Sequence, residues 1–257
     1  MGDKKIIIIC GSKRYDNINF NNIVDGFDII QRCNMNINKS GYGTRESDIQ
    51  VLNIHANQNF KHADRMRSVY KNFASGDVIE AFIEYVRKAK TEYVSFPKNN
   101  TDRIQRFLND NNIKFKMNLK KKELRGGFAY IPKAHDCKYE IYLIGFSLTK
   151  EQYTTHQVNF DENKLKVNDD IHDRDIEIEL LKTLHNNNIL DATLCAIVDE
   201  KDLTIDCSLI SPKVESLLYI LQIYNNMWLK NYKDFTNILD TNNINWEKDN
   251  DKIKLSI

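Results

Sequence analysis

Residues 5–10, Lys-Ile-Ile-Ile-Ile-Cys, contain an unbroken apolar run from Ile6 to Cys10 that ends at Gly11-Ser12. A β-branched run of this kind is typical of a strand that is buried on both faces, as the strands of a parallel sheet are. It is too short for the hydrophobic region of a signal peptide or for a membrane span. The run therefore predicts a sheet that helices cover on both sides.

Strand-like and helical segments alternate along the rest of the chain. Strands are predicted at residues 27–32, 48–54, 92–96, 139–144, 192–198 and 204–209. Helices are predicted at residues 69–89 in two pieces, 102–111, just before His135, 172–184, 214–229 and 234–239. This alternation predicts the α/β class, with a single Rossmann-like, mostly parallel sheet flanked by helices. Because no composition shift marks a boundary, we expect residues 1–200 to form the main α/β domain and 201–257 a strand and helical extension of it.

Charge and cysteine content argue against several classes of function. The 37 basic and 36 acidic residues nearly cancel, and no stacking pattern of aromatic residues occurs, so no nucleic-acid partner is expected. The five cysteines include no Cys-x-x-Cys spacing, and the six histidines no metal-binding spacing. We therefore expect reduced thiols, no metal, no membrane span and a cytoplasmic location.

Polar residues and glycines follow the predicted ends of the first two strands. Gly11 would let backbone amides approach a phosphate or a ribose, or would serve only the turn. Asn34 offers a donor and acceptors suited to a nucleobase or a ribose hydroxyl. Arg32 would pair with a phosphate or a nearby Asp, or would be a solvated residue at a strand end. The stretch Gly-Tyr-Gly-Thr-Arg-Glu-Ser-Asp from residue 41 is either an ordinary mobile loop or a loop that Arg45 holds in one shape.

Two later stretches also contain candidate site residues. Gly126-Gly127 precedes a short predicted helix. Either the backbone amides at this helix start bind an anion, or the two glycines only allow the chain to turn tightly into the helix. His172 stands at the predicted start of another helix, with Glu177 five residues further on. Histidine exchanges protons near neutral pH, so His172 is a candidate general base, although a histidine at this position also caps helices or faces solvent.

Taken in order, these blocks resemble the motifs of the sialyltransferases. The large sialylmotif is resembled by Gly11-Ser12, by residues 28–34 and by residues 43–48. Residues 126–146, from Gly-Gly to Gly-Phe, resemble the small sialylmotif, and His172 with Glu177 matches the very short motif. The blocks are also similar to bacterial sialyltransferases that carry Arg-Cys-Asn and Glu-Ile-Tyr-Leu-x-Gly. The resemblance covers roughly residues 5–190.

The resemblance implies a glycosyltransferase with one nucleotide-sugar-binding α/β domain. Such an enzyme transfers sialic acid or a related acidic sugar from a CMP-activated donor to a glycan hydroxyl, with neither a metal nor a cofactor. His172 is implied as the general base, Tyr153 as a stabiliser of the CMP leaving group, and Arg45 and Glu177 as structural support. The implied nucleotide-binding residues are Gly11, Ser12, Arg32, Asn34, Asn53, Gly126, Gly127, Gly145 and Phe146.

Two alternatives to this function stay open. The first is a nucleotide-binding relative of sialyltransferases without transfer activity, and the second is a glycosyltransferase that uses another sugar nucleotide. The expected partners are a nucleotide sugar and a glycan acceptor. The acceptor, the linkage and the oligomeric state are left unassigned.

Overall fold

A computed structural model of the chain describes residues 4–10, 19–33, 41–52, 63–71, 75–88, 92–95, 100–118, 124, 126–146, 173–196, 206–211, 213–226, 232–241, 243, 245–249 and 252–255. Five strands form one sheet: β1 (Lys5–Ile9), β2 (Ile29–Cys33), β3 (Ile49–Leu52), β4 (Glu92–Ser95) and β5 (Glu140–Ile144). Their order is β4-β3-β2-β1-β5, and every neighbouring pair is parallel. The predicted α/β class, with a mostly parallel sheet flanked by helices, is confirmed.

The helices surround this sheet and continue into the C-terminal region. They are α1 (Asn21–Asp25), α2 (Ala63–Tyr70), α3 (Gly76–Lys88), α4 (Asn100–Asp110), α5 (Gly126–Ala129), α6 (Ile131–Asp136), α7 (Arg174–Asn186), α8 (Val214–Asn226) and α9 (Tyr232–Thr241). Near the C-terminus, β6 (Trp246–Asp249) and β7 (Lys252–Leu255) pair as an antiparallel hairpin. Among the described residues, no helix has the length and apolar character needed to cross a membrane.

The core is built around β1. Ile6, Ile7, Ile8 and Ile9 are all fully buried, because β1 lies between β2 and β5 and both faces of the sheet are covered. Side chains of α8 and α9 belong to the same hydrophobic cluster. Side chains of α8 and α9 therefore pack into the same hydrophobic core as the sheet.

Two predicted strands are wrong. The described parts of residues 192–198 and 204–209 contain short 3₁₀ turns, at Thr193–Cys195 and Cys207–Leu209. The Asp191 carboxylate accepts a hydrogen bond of 2.9 Å from the backbone N–H of Thr193, and this local bond turns the chain out of an extended conformation. Asp191 itself contacts the sheet through a single parallel bridge to Tyr142. The segment thus packs as a turn beside β5.

Candidate functional site

The carboxyl ends of β1 and β5 lie side by side where the strand order reverses. From β1 the chain adds β2, β3 and β4 on one side, and it then adds β5 on the other side of β1. The pairing of β1 with β5 extends to Cys10, whose backbone N–H donates to the carbonyl oxygen of Ile144 at 2.9 Å. Open parallel sheets bind ligands in the crevice at such a point. We call this edge the switch-point edge.

Glycines allow unusually close packing at the switch-point edge. Gly145, directly after β5, has a φ of 76°, and a Cβ added there would lie 2.1 Å from the carbonyl oxygen of Cys10. A Cβ on Gly127 in α5 would lie 2.4 Å from Sγ of Cys10 and 2.7 Å from Cζ of Phe146. Alanine at either position would therefore collide with its neighbours. The end of β1, the end of β5 and α5 meet closely because both positions are glycine.

The predicted residues of the small-motif block form the packed floor of this edge. Gly126 and Gly127 are both buried, and Phe146 is 1% exposed. The ring of Phe146 packs edge-on against Phe128, with 5.1 Å between the ring centroids. The structure therefore brings Gly126, Gly127, Gly145 and Phe146 together at the carboxyl ends of β1 and β5. Their contact with a nucleotide stays a prediction.

Arg32 is fully buried at the end of β2 and holds the loop that precedes β3. Its Nη1 donates to Oγ of Ser47 and its Nη2 to the carbonyl oxygen of Tyr42, each at 3.0 Å. Burial lowers the pKa of Arg32 from its ordinary value, and Tyr85 partly opposes this. Among the described residues, no carboxylate lies within ion-pair distance of the guanidinium. Arg32 thus supports the loop from inside, and its predicted contact with a nucleotide stays a prediction.

The same loop is held from outside by Arg45 and Asp25. Nη1 of Arg45 donates to the carbonyl oxygens of Phe27 at 2.6 Å and Asp25 at 3.1 Å. The Asp25 carboxylate accepts bonds from the backbone N–H of Thr44 at 2.9 Å, from its hydroxyl at 2.7 Å and from the N–H of Arg45 at 3.1 Å. Although burial opposes ionisation, these bonds lower the pKa of Asp25. Of the two interpretations of this loop, the structure shows the one held by a polar network.

Sequence reasoning missed Asp25, which completes this network. Thr44, Arg45 and Ser47 belong to the loop stretch that the sequence indicates, but Asp25, whose carboxylate accepts from the hydroxyl of Thr44, lies outside it. Asp25 stands between a short apolar segment and Gly26, a composition shared by many surface turns. No sequence signal distinguishes this aspartate from a solvated one.

Helix α7 starts later than predicted, at Arg174, and Asp173 caps it. Oδ1 of Asp173 accepts from the N–H of Ile176 at 3.4 Å, so His172 directly precedes the cap. Glu177 is 1% exposed in the first turn. Lys182 forms an ion pair of 2.7 Å with Asp206, which connects α7 to the 3₁₀ turn at Cys207–Leu209. The buried position of Glu177 in an anchored helix is compatible with a supporting role.

Several predicted site residues lie outside the described residues. They are Gly11, Ser12, Asn34, Asn53, Tyr153 and His172. Gly11 follows Cys10, Asn34 follows Cys33 and Asn53 follows Leu52, so these three come directly after described strand ends on one sheet edge. His172 comes directly before the cap of α7. Their roles stay predictions.

A cavity of about 740 Å³ lies at the opposite edge, beside the amino end of β5. Three of its charged lining groups are engaged, since Glu140 accepts from Nζ of Lys213 at 2.7 Å and the Asp191 carboxylate accepts from Oγ of Ser216 at 2.5 Å. His185 also lines it, and burial lowers the pKa of this imidazole. In the described part of the chain, no three His, Cys, Asp or Glu side chains are grouped to hold a metal. The internally paired charges make this cavity a weaker candidate than the switch-point edge.

Neither a protein-family model nor a curated protein matches the chain. Among solved structures, it is similar to a mammalian sialyltransferase at 11% identity, over 74% of this chain and 68% of that chain, with a TM-score of 0.43. A mammalian sialyltransferase in complex with Gal-beta-1-3GalNAc-ortho-nitrophenol gives 12% identity, 74% and 69% coverage and a TM-score of 0.42. The sialyltransferase CstII from Campylobacter jejuni, in complex with a substrate analogue, cytidine-5'-monophosphate, gives 16% identity, 75% and 81% coverage and a TM-score of 0.37. The likeness is one of fold.

Proposed function

We propose that the chain is a glycosyltransferase that moves sialic acid or a related acidic sugar from a CMP-activated donor to a glycan hydroxyl. The observation that carries the proposal is the meeting of β1 and β5 at the switch-point edge. The sequence block around α5 and β5 lies at this edge, and Gly11-Ser12 follows Cys10 directly in sequence. Crevices at such points hold ligands in open parallel sheets. The sialylmotif-like order of the blocks is what makes cytidine the proposed nucleotide.

In the proposed reaction, the acceptor hydroxyl gives its proton to the neutral imidazole of His172 while its oxygen bonds to the anomeric carbon of the donor sugar. The bond from that carbon to the phosphate oxygen breaks, and CMP leaves with the bonding electron pair. Tyr153 donates a hydrogen bond to the charge that develops on the phosphate. The scheme uses no metal and no cofactor. Asp173 caps the start of α7 and comes directly after His172 in sequence.

A thermal-shift series tests the nucleotide first. Wild-type protein is heated with CMP, CDP, UMP, UDP, GDP or CMP-sialic acid, because a ligand that binds only the folded state raises the unfolding midpoint. We expect the two CMP compounds to raise the midpoint and the uridine and guanosine nucleotides to leave it unchanged. The absence of any cytidine response would overturn the proposal. A response to uridine or guanosine nucleotides would assign the chain to another sugar nucleotide.

The role of His172 is tested with a matched pair of variants. His172→Ala should keep the midpoint shift with CMP but release CMP from CMP-sialic acid at least about 10²-fold more slowly, the usual contribution of a general base. His135→Ala is the control, because His135 lies at the opposite edge and packs against Phe107. This variant should bind CMP and release CMP from CMP-sialic acid like the wild type. EDTA should change neither result, because the proposed reaction uses no metal. If wild-type protein binds CMP but releases none from CMP-sialic acid with a panel of glycans, the chain binds nucleotides without transfer.

A further inference from the structure

Two cysteines lie next to each other at the switch-point edge, although their separation in sequence gives no sign of it. In the register of β1 and β2, Ile9 pairs with Arg32, and the next step places Cys10 beside Cys33. Their Sγ atoms are 4.0 Å apart. Neighbouring strands run about 4.8 Å apart, which lies inside the Cα separation of about 4.4–6.8 Å that disulfides require. The backbone is therefore already placed for a bond between the two sulfurs.

The surroundings give the two thiols different access. Cys33 is 6% exposed, and its Sγ is 3.2 Å from the Nε2 donor of Gln31. Cys10 is only half-buried, and its sulfur packs against the backbone of Gly127. A small oxidant therefore reaches Cys10 first, with Cys33 behind it as the partner thiol.

We propose that Cys10 and Cys33 form an oxidation site that closes to a reversible disulfide. A peroxide oxidises the Cys10 thiol to a sulfenic acid and is itself reduced, with release of water or, from an organic peroxide, an alcohol. The Cys33 sulfur then attacks the Cys10 sulfur, the S–S bond forms, and the sulfenic oxygen leaves as water. A small dithiol reverses the bond by exchange and is itself oxidised. This site stands on the contacts of the two sulfurs and not on the proposed transfer activity.

The bond would change the floor of the switch-point edge. The sulfurs must move from 4.0 Å to about 2.05 Å apart. Because Sγ of Cys10 packs against Gly127, this movement shifts the end of β1 relative to α5. Cys10 directly precedes Gly11 in sequence, and Gly11 and Ser12 are predicted to bind the nucleotide, so we expect the shift to weaken nucleotide binding.

Peptide mapping tests the bond directly. Wild-type protein is treated with hydrogen peroxide, alkylated with N-ethylmaleimide and cut with trypsin without reduction. The site predicts a cross-link between the tryptic peptides of residues 6–13 and 33–39, which contain Cys10 and Cys33, and its loss after dithiothreitol. The exposed Cys137, in the peptide of residues 134–138, is an internal reference and should stay out of this cross-link.

Two controls make the result decisive. Cys33→Ala should stop at sulfenic acid on Cys10, which a dimedone label detects, and Cys137→Ser should still form the 6–13 to 33–39 cross-link. If wild-type Cys10 and Cys33 are both recovered alkylated, or if Cys10 is oxidised further without a cross-link, the oxidation site is refuted.

The effect on the edge is measured separately, and this arm rests on the proposed function. The CMP-induced rise of the unfolding midpoint should be smaller in the oxidised than in the reduced wild type, and dithiothreitol should restore it. A cross-linked protein with an unchanged CMP shift would refute the coupling to the edge. If reduced protein does not respond to CMP, the proposed function fails while the mapping result stands.

Discussion

Replacing Gly145 with alanine should destabilise the protein by about 2–5 kcal/mol. The φ of 76° at this position is left-handed, and an L side chain there costs about 1–2 kcal/mol. The added Cβ would also lie 2.1 Å from the carbonyl oxygen and 2.9 Å from the carbonyl carbon of Cys10. These are backbone atoms that cannot turn aside as a side chain can, and overpacking of this kind costs about 1–3 kcal/mol. The two effects act at the same place and add to the predicted loss.

Gly76→Ala is the matched control for this variant. A Cβ on Gly76, the first residue of α3, would have nothing within 4 Å, so alanine there should be neutral or stabilise by up to about 1 kcal/mol. In a chain of this size 1 kcal/mol moves the unfolding midpoint by about 2–4 °C, so Gly145→Ala should lower it by roughly 4–20 °C. Urea unfolding gives the free energies directly. A Gly145→Ala variant within about 1 kcal/mol of wild type would show that the ends of β1 and β5 do not approach so closely.

Gly127→Ala should also lower the unfolding midpoint, because its Cβ would lie 2.4 Å from Sγ of Cys10. Cys10→Ala in the same chain should recover part of the loss, and strictly additive losses in urea unfolding would contradict the contact. Asp25→Ala should cost about 1–2 kcal/mol in urea unfolding, since it leaves backbone N–H groups of the adjoining loop without their acceptor; an unchanged free energy would show that the carboxylate does not hold the loop. The pKa of Glu215 is lowered: burial opposes this, but the hydrogen bonds from Lys5, Tyr219 and Tyr142 and the charge of Lys5 together outweigh it. Ionised Glu215 therefore adds to the free energy of unfolding above pH 4.5, the ordinary pKa of a glutamate. This stabilisation is lost as the pH falls through the lower pKa that Glu215 has in the folded protein. Glu215→Gln should flatten this acid loss in a series of urea titrations, and an identical pH profile would contradict the assignment.

The central strand could be predicted because it has few alternatives. A run of four isoleucines followed by Cys10 and Gly11 is too apolar for the surface and too short for a buried helix, and the four isoleucines of β1 are indeed fully buried. The segment from Ala192 is apolar for the same reason, since Ala192, Leu194 and Cys195 are buried as well. Composition reports burial, and it does not distinguish a buried 3₁₀ turn from a buried strand. The bond from the Thr193 N–H to Asp191 decides between them, and it depends on a local geometry that periodicity does not contain.

The glycines of the candidate site show a second limit of the same kind. A glycine pair before a short helix and a glycine after a strand both predict a close approach. The structure identifies the partner of Gly127 and Gly145 as Cys10, at the end of a strand far away in sequence. The need for a small residue is local and is visible in the sequence. The identity of the neighbour depends on the crossover that places β5 beside β1, and no short stretch of sequence encodes that crossover.

Two neighbouring side chains of β2, Arg32 and Cys33, make separate contacts near the switch-point edge. Successive side chains of a strand point to opposite faces, so Arg32 and Cys33 serve different sides of the sheet. On one face Arg32 bonds to Ser47 and Tyr42 and holds the loop before β3, while on the other Cys33 lies beside Cys10. Because the two contacts share no side chain, a substitution at Arg32 should loosen the loop without changing the distance between the two sulfurs. Oxidation of the cysteines should in turn leave the bonds of Arg32 in place. Arg32 and Cys33 thus place a loop support on one face of the sheet and one half of the proposed oxidation site on the other.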